Sequence, residues 1–272
     1  MTALRHPAIA IGGGLVLGMV AIALLAPWLG TIDPTQIAPA ARTRAPSAEH
    51  WFGTDMLGRD LYSRVLYGTR VSLVVGFTVA LLTSAIGTAI GLTSGALPRL
   101  DGIIMRVMDG IMSVPPILLA IALMTLTRGS IGNVIIAITF AEAPRMSRIV
   151  RGVVLVLREQ SYVDAAITAG SPTPVILWRH VLPNALAPII VQASYVSASA
   201  MIVEAILSFL GAGTPTSTPS WGNIMAEGRS LWQVKPFIVF FPAVFLSLAV
   251  FAVNLLGDGL RDALDPRVAK KA

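Results

Sequence analysis

An all-α, polytopic membrane protein with six transmembrane helices is the fold class this 272-residue sequence predicts. Three observations carry that prediction. Hydrophobic residues make up 55% of the chain and charged residues only 12%, against roughly 25% charged in a soluble domain. Mean hydropathy is +0.76. Apolar stretches near the ~20 residues needed to cross a ~30 Å hydrocarbon core recur along the chain. A soluble globule could not cover itself with so few polar groups, and a disordered chain would not leave so much apolar surface in water.

The first span runs from Ala8 to Leu29, inside a stretch free of Asp, Glu, Lys and Arg from Pro7 to Ile32. It exceeds the ~7–15 apolar residues of a cleaved signal peptide, so residues 1–29 read as a retained helix. Residues 30–70 form an extracytoplasmic loop. Within it Leu61, Tyr62, Val65 and Leu66 fall at helical spacing, with Asp60 and Arg64 expected to pair on the other face. That short helix either lies in the membrane interface or packs on the protein.

The second span lies within Val71 to Pro98. There Gly87, Gly91 and Gly95 repeat every four residues, a pattern that lets two transmembrane backbones approach closely. The third runs from Ile111 to Thr127, with Pro115-Pro116 shaping the start of the helix rather than forming a hinge. The fourth begins near Ile131 and runs into Glu142, Arg145 and Arg148, which predicts an intrahelical Glu142–Arg145 ion pair. The fifth covers Asn184 to Leu210, interrupted by Glu204. A carboxylate at that depth should face a neighbouring helix, a partner subunit or a water-filled path, which makes Glu204 and Met201 candidates for a substrate path. The sixth runs from Pro236 to Gly257. Residues 71–257 are thus the core domain and 258–272 a tail.

Six spans put both termini on one side. With that side inside, the inner segments hold Arg5, Arg99, Arg106, Arg145, Arg148, Arg151, Arg158, Arg179, Arg261, Arg267, Lys270 and Lys271. The outer segments hold fewer, namely Arg42, Arg44, Arg59, Arg64, Arg70, Arg128, Arg229 and Lys235, mostly in a long loop that weighs little in the positive-inside rule. The termini are therefore expected in the cytoplasm. The same rule explains the net charge of +6 without nucleic acid. There is no cysteine, and His6, His50 and His180 are scattered, so neither a metal site nor a cofactor is expected.

The longest inner segment, about residues 152–183, carries the functional signal. Tyr162, Asp164, Ala165 and Ala166 suit a short helix that Gly170 can end with a positive φ, while Pro172 and Pro174 prevent its continuation. A second short helix through Val175 to Val181 should end before Leu182-Pro183. The result is a helix-turn-helix knob with small residues and a carboxylate that can accept an arginine of a partner.

The Asp164-Ala165-Ala166, Gly170 and Leu182-Pro183 spacing resembles the EAA loop of binding-protein-dependent ABC importer permeases. A closer resemblance, to the C-type permease of dipeptide and oligopeptide importers, runs through an ordered series of blocks. They include Phe52-Gly53-Thr54-Asp55-Met56-Leu57-Gly58-Arg59-Asp60, Arg179-His180-Val181-Leu182-Pro183-Asn184, Ser208-Phe209-Leu210-Gly211, Pro219-Ser220-Trp221-Gly222 and Asn254-Leu255-Leu256-Gly257-Asp258. The resemblance implies a type I importer transmembrane domain in the cytoplasmic (inner) membrane. It further implies coupling through Tyr162, Asp164, Ala165, Ala166, Gly170, Leu182 and Pro183 to one or two ATP-binding subunits. The other implied partners are a homologous second permease in a heterodimer, an extracytoplasmic substrate-binding protein and membrane lipid. The binding protein is expected to meet Gly213, Pro219 and Trp221. Asp164 stands where that family usually has glutamate, and Ile167 where it often has arginine. Related permeases serve nickel, glutathione or haem, so peptide as substrate rests on the resemblance alone. The sequence holds no G-x-x-x-x-G-K-[ST] phosphate loop, so this chain should not hydrolyse ATP, and it shows no internal repeat of the kind found in secondary transporters.

Overall fold

Helix α1 (Pro7–Leu25) follows the first apolar stretch and passes into a 3-10 turn, Ala26–Trp28. The computed structural model describes residues 7–126 and 129–264. Arg5, His6, Thr127, Arg128, Asp265, Pro266, Arg267, Lys270 and Lys271 lie outside the described residues.

Helix α2 (Leu61–Ala96) has 36 residues and is about 54 Å long at ~1.5 Å per residue. Its length corrects the expectation of a separate short helix at 61–66, which is instead the first turns of α2. The charge at Arg70 hid that continuity in the sequence. Those turns are also not interfacial, since Leu61, Val65 and Leu66 are buried in the protein. Asp60 does not pair with Arg64 but caps the helix, accepting hydrogen bonds from the Ser63 backbone N–H (2.8 Å) and Oγ (2.6 Å).

The predicted third span is not one straight helix. Helices α3 (Pro98–Met112) and α4 (Pro116–Thr125) meet at 81° around Pro115-Pro116. A residue before proline is driven out of the helical region, and Pro115 accordingly has ψ 132°. The two prolines thus make a corner where only a shaped start was expected. Asp101 and Asp109 of α3 pair with Arg151 and Arg148 of helix α5 (Ile131–Arg158).

Beyond α5, helix α6 (Ser161–Thr168) and helix α7 (Thr173–Ile176) form the knob. The second knob helix does not stop before Pro183. A π-helical turn, Leu177–Val181, carries the chain into helix α8 (Leu182–Phe209), where Pro183 occupies the first turn and blocks no bond. Helix α9 (Trp221–Gly228) opens with a reciprocal capping box between Ser220 and Asn223, and helix α10 (Phe237–Leu264) completes the bundle.

Apart from an isolated Thr54–Asp60 bridge, the described residues contain no strand. Four helices are long and apolar enough to cross a membrane: α1 with its extension, α2, α7–α8 as one unit, and α10; the bent α3–α4 pair is a fifth candidate. Helix α5 has 28 residues but carries Glu142, Arg145, Arg148 and Arg151. It packs along α2 through the glycine face. A Cβ on Gly91 would stand 2.6 Å from Val150 Cβ, and one on Gly95 2.7 Å from Val154 Cγ1, while Gly87 is held equally tightly against Met146. The contacts advance together along both helices, so α2 and α5 run parallel, and the glycine stripe is a contact inside this chain.

Candidate functional site

The knob stands at the junction of α5 and α8, so any force on it acts on two long helices at once. Its position is built locally. Arg158 at the end of α5 donates to the Gly95 carbonyl at the end of α2 (2.6 Å), tying both helix ends together. Val163 and Ala166 turn inward into the core, whereas Tyr162, Asp164, Ala165 and Ile167 face outward. Ala166 is therefore not on the exposed surface that the sequence suggested.

Gly170 has φ +78°, its N–H bonds to the Ile167 carbonyl (2.9 Å), and the Ser171 N–H reaches back to the Ala166 carbonyl (3.0 Å). This pair of bonds is a Schellman stop, which requires a left-handed residue and so favours glycine. A Cβ on Gly170 would meet nothing within 4 Å. Leu182 is half-buried and Pro183 exposed at the root of α8. Beneath the knob a cavity of about 210 Å³ is lined by Ala96, Arg158, Val163, Ile167, Thr173 and Leu177 among others.

Next to this end, the Arg151 guanidinium and the Ser94 hydroxyl both bond the Asp101 carboxylate and hold it down to about 2. The α2–α3–α5 corner is therefore clamped by a carboxylate that stays ionised at neutral pH.

At the opposite end, the first loop is locked by ion pairs. Asp55 is fully buried and accepts from the backbone N–H groups of Leu57 (2.8 Å) and Arg59 (2.9 Å), from Arg59 Nε (2.7 Å), and from Arg64. Glu227 of α9 binds both arginines, at 2.6 Å to Arg59 and 2.5 Å to Arg64. Sequence reading missed this latch. Its two halves are 163 residues apart for Arg64 and Glu227, and no spacing signals such a pair.

The residues expected to meet a binding protein are only partly accessible. Trp221 is wholly buried, its Nε1–H donating to the Val65 carbonyl (3.1 Å). Gly213 is buried against the backbone of Ser208, while Pro219 is partly exposed. Trp221 and Gly213 thus hold the loop to α2 and α8 rather than presenting a surface.

Glu204 and Met201 are likewise fully buried, so in this structure neither lines an open path. The Glu204 carboxylate faces a neighbouring helix and accepts from Ser208 Oγ (2.8 Å) and Ser72 Oγ (3.4 Å). Ser208 in turn contacts Thr214 (3.0 Å), and Thr214 contacts Ser220 (3.1 Å), so a chain of hydroxyls joins this carboxylate to the loop before α9. Glu142 does not form the expected pair with Arg145. It accepts from Ser199 Oγ of α8 at 3.2 Å and makes no ion pair among the described residues.

No group of three or more His, Asp or Glu side chains placed to hold a metal occurs among the described residues.

Comparison with known proteins places this architecture. The sequence profile described as binding-protein-dependent transport system inner membrane component matches residues 67–270. The chain is 48% identical, over 98% of its length and 91% of the relative's, to a Sinorhizobium fredii protein named "Probable peptide ABC transporter permease protein y4tQ". It is 41% identical to the dipeptide transport system permease protein DppC of Alkalihalophilus pseudofirmus, over 93% of this chain and 84% of that one. Among solved structures, a chain of the MetNI methionine ABC transporter in an inward facing conformation superposes with a TM-score of 0.62 at 19% identity, covering 74% of this chain and 96% of that one, a likeness of fold alone.

Proposed function

This chain belongs to the family of binding-protein-dependent transport system inner membrane components, and on that premise we propose that it is the permease subunit of an ATP-driven importer of dipeptides or short oligopeptides. It is a multi-pass protein of the inner membrane that works with other subunits of an ABC transporter. The named relatives that span nearly its whole length, a peptide and a dipeptide permease, support peptide as the substrate class.

The observation that carries the mechanism is the exposed face of α6. Tyr162, Asp164, Ala165 and Ile167 stand clear of the rest of the chain on a turn stopped by Gly170. Tyr162 and Ile167 are 39% and 57% exposed, apolar area that a partner would cover. That partner is an ATP-hydrolysing subunit, whose arginine can take the Asp164 carboxylate. Closure of the ATPase pair displaces the knob, and the knob moves α5 and α8 together, so that the bundle opens to alternate sides of the membrane. The knob end is cytoplasmic and both termini lie with it.

At the far end, the loop locked by Asp55, Arg59, Arg64 and Glu227 forms a rigid platform for an extracytoplasmic binding protein, with Pro219 at its accessible edge. A second, homologous permease completes the transmembrane pair. Co-purification tests the assembly: an ATPase subunit retained by the wild-type chain and lost on Asp164→Arg supports the docking, and retention after that reversal opposes it. The substrate is tested on the cognate binding protein. Its melting temperature should rise with di- or tripeptides, and a rise with nickel alone would overturn the peptide reading.

A further inference from the structure

A polar stripe breaks the apolar surface of α8 on the side away from α2. Gln192, Tyr195 and Ser199 fall at i, i+3 and i+7, hence on one side of the helix, and all three are partly exposed. Helices α5 and α10 rise on either side of it. From α5, Glu142 accepts from Ser199 Oγ at 3.2 Å. From α10, Asp258 accepts from the Tyr195 hydroxyl at 2.5 Å. Toward the knob the groove widens into a cavity of about 330 Å³, lined by Ile149 of α5, by Ala187, Pro188, Val191 and Gln192 of α8, and by Arg261.

Two features show that this polarity is more than internal bonding. Glu142 is 5% exposed yet has no cationic partner among the described residues, and the hydroxyl of Thr139, one turn away on α5, is buried with no hydrogen-bond partner. Ionisable groups at membrane depth are costly and face paths or cavities that use them. The cavity wall also carries a base, Arg261, together with the side-chain amide of Gln192, which complements the carboxylate end and the amides of a peptide. The remaining cavity walls are small or aliphatic, which leaves room for varied side chains.

We propose that the α8 groove is this subunit's peptide path, with Arg261 receiving the peptide carboxylate and Gln192 and Tyr195 its amides. The path therefore runs past Gln192 and Tyr195, and not past Glu204 and Met201. This assignment rests on the peptide-importer reading above.

The absence of cysteine makes single-cysteine labelling clean. In membrane vesicles holding the assembled importer, Gln192→Cys and Tyr195→Cys should react with a charged, membrane-impermeant thiol reagent. Adding peptide, binding protein and ATP should slow that reaction at least threefold, while Met201→Cys stays silent. Reaction at Met201→Cys with Gln192→Cys silent overturns the path. So does a Gln192→Cys that is unreactive because it cross-links to the second permease. In uptake assays, Arg261→Gln should lower import of a free dipeptide at least tenfold and import of its C-terminal amide much less. Equal rates for wild type and variant on the free peptide overturn the carboxylate contact. If the wild-type importer moves no peptide but nickel or another solute protects Gln192→Cys, the peptide reading fails while the groove stands.

Discussion

Replacing Gly170 by side chains of increasing size separates the knob's internal geometry from its use by a partner. Any L-residue at φ +78° costs about 1–2 kcal/mol in backbone strain. Because nothing lies within 4 Å of a Cβ at this position, Ala and Leu should cost the isolated subunit the same. At about 2–4 °C per kcal/mol, both should lower the melting temperature of the purified chain by roughly 2–8 °C. In the assembled importer the two must differ. If the turn sits in a groove of the ATPase subunit, leucine overpacks that contact by a further ~1–3 kcal/mol, about a five- to 150-fold loss in docking. Peptide uptake by proteoliposomes should then fall at least fivefold further for Gly170→Leu than for Gly170→Ala. ATP hydrolysis should also become less responsive to the loaded binding protein. Equal uptake by the two variants, at equal expression, refutes the docking of this turn.

Other consequences follow from the bundle and its clamps. Gly91→Ala places a methyl 2.6 Å from Val150 Cβ and should destabilise by about 1–3 kcal/mol, whereas Gly152→Ala on α5 meets nothing within 4 Å and should gain up to ~1 kcal/mol of helix propensity. Melting temperatures moving in opposite directions check both. Arg64→Met leaves Asp55 and Glu227 with less compensation in a buried network and should cost about 3–5 kcal/mol, read as a large drop in melting temperature; a change under 1 kcal/mol would show the latch to be idle. Asp101 is held at about 2, below its ordinary 3.8, by Arg151 and Ser94, so its contribution is full above about pH 4 and is lost as pH falls through 2. The pair is partly solvated, so the gain should stay near 1 kcal/mol or less. The stability gap between wild type and Asp101→Asn should shrink from pH 5 to pH 2, and a gap that is constant with pH would contradict the clamp.

The parts of this molecule that the sequence announces are those set by local chemistry. Gly170 ends α6 as its spacing predicted, because a left-handed stop is a property of one residue and its two neighbours. The glycine stripe at 87, 91 and 95 announces a close helix contact in the same way, although the identity of the partner, α5, could not be read. A charged residue is a poor marker of where a helix ends in this chain. Arg70 suggested a span starting at Val71, yet the guanidinium bonds carbonyls of Ala23 and Leu24 at the end of α1 and the helix runs on beneath it. Neighbouring charges mislead too: Asp60 and Glu142 each stand about one turn from an arginine, whereas the structure gives them a cap and a serine on another helix. The long-range features, the Asp55–Arg64–Glu227 latch and the groove on α8, have no sequence signature because each joins segments that only folding brings together.

The central claim, that the α6 face couples this permease to an ATP-hydrolysing subunit, is tested most directly by cross-linking in the native assembly. Ala165→Cys, on the exposed face of α6, should cross-link to the ATPase subunit through a short thiol-directed reagent, with a yield that changes when ATP is bound. Glu49→Cys, exposed in the first loop at the other end of the chain, should not. An ATPase cross-link from Glu49→Cys, with none from Ala165→Cys, would contradict both the docking face and the orientation of the chain.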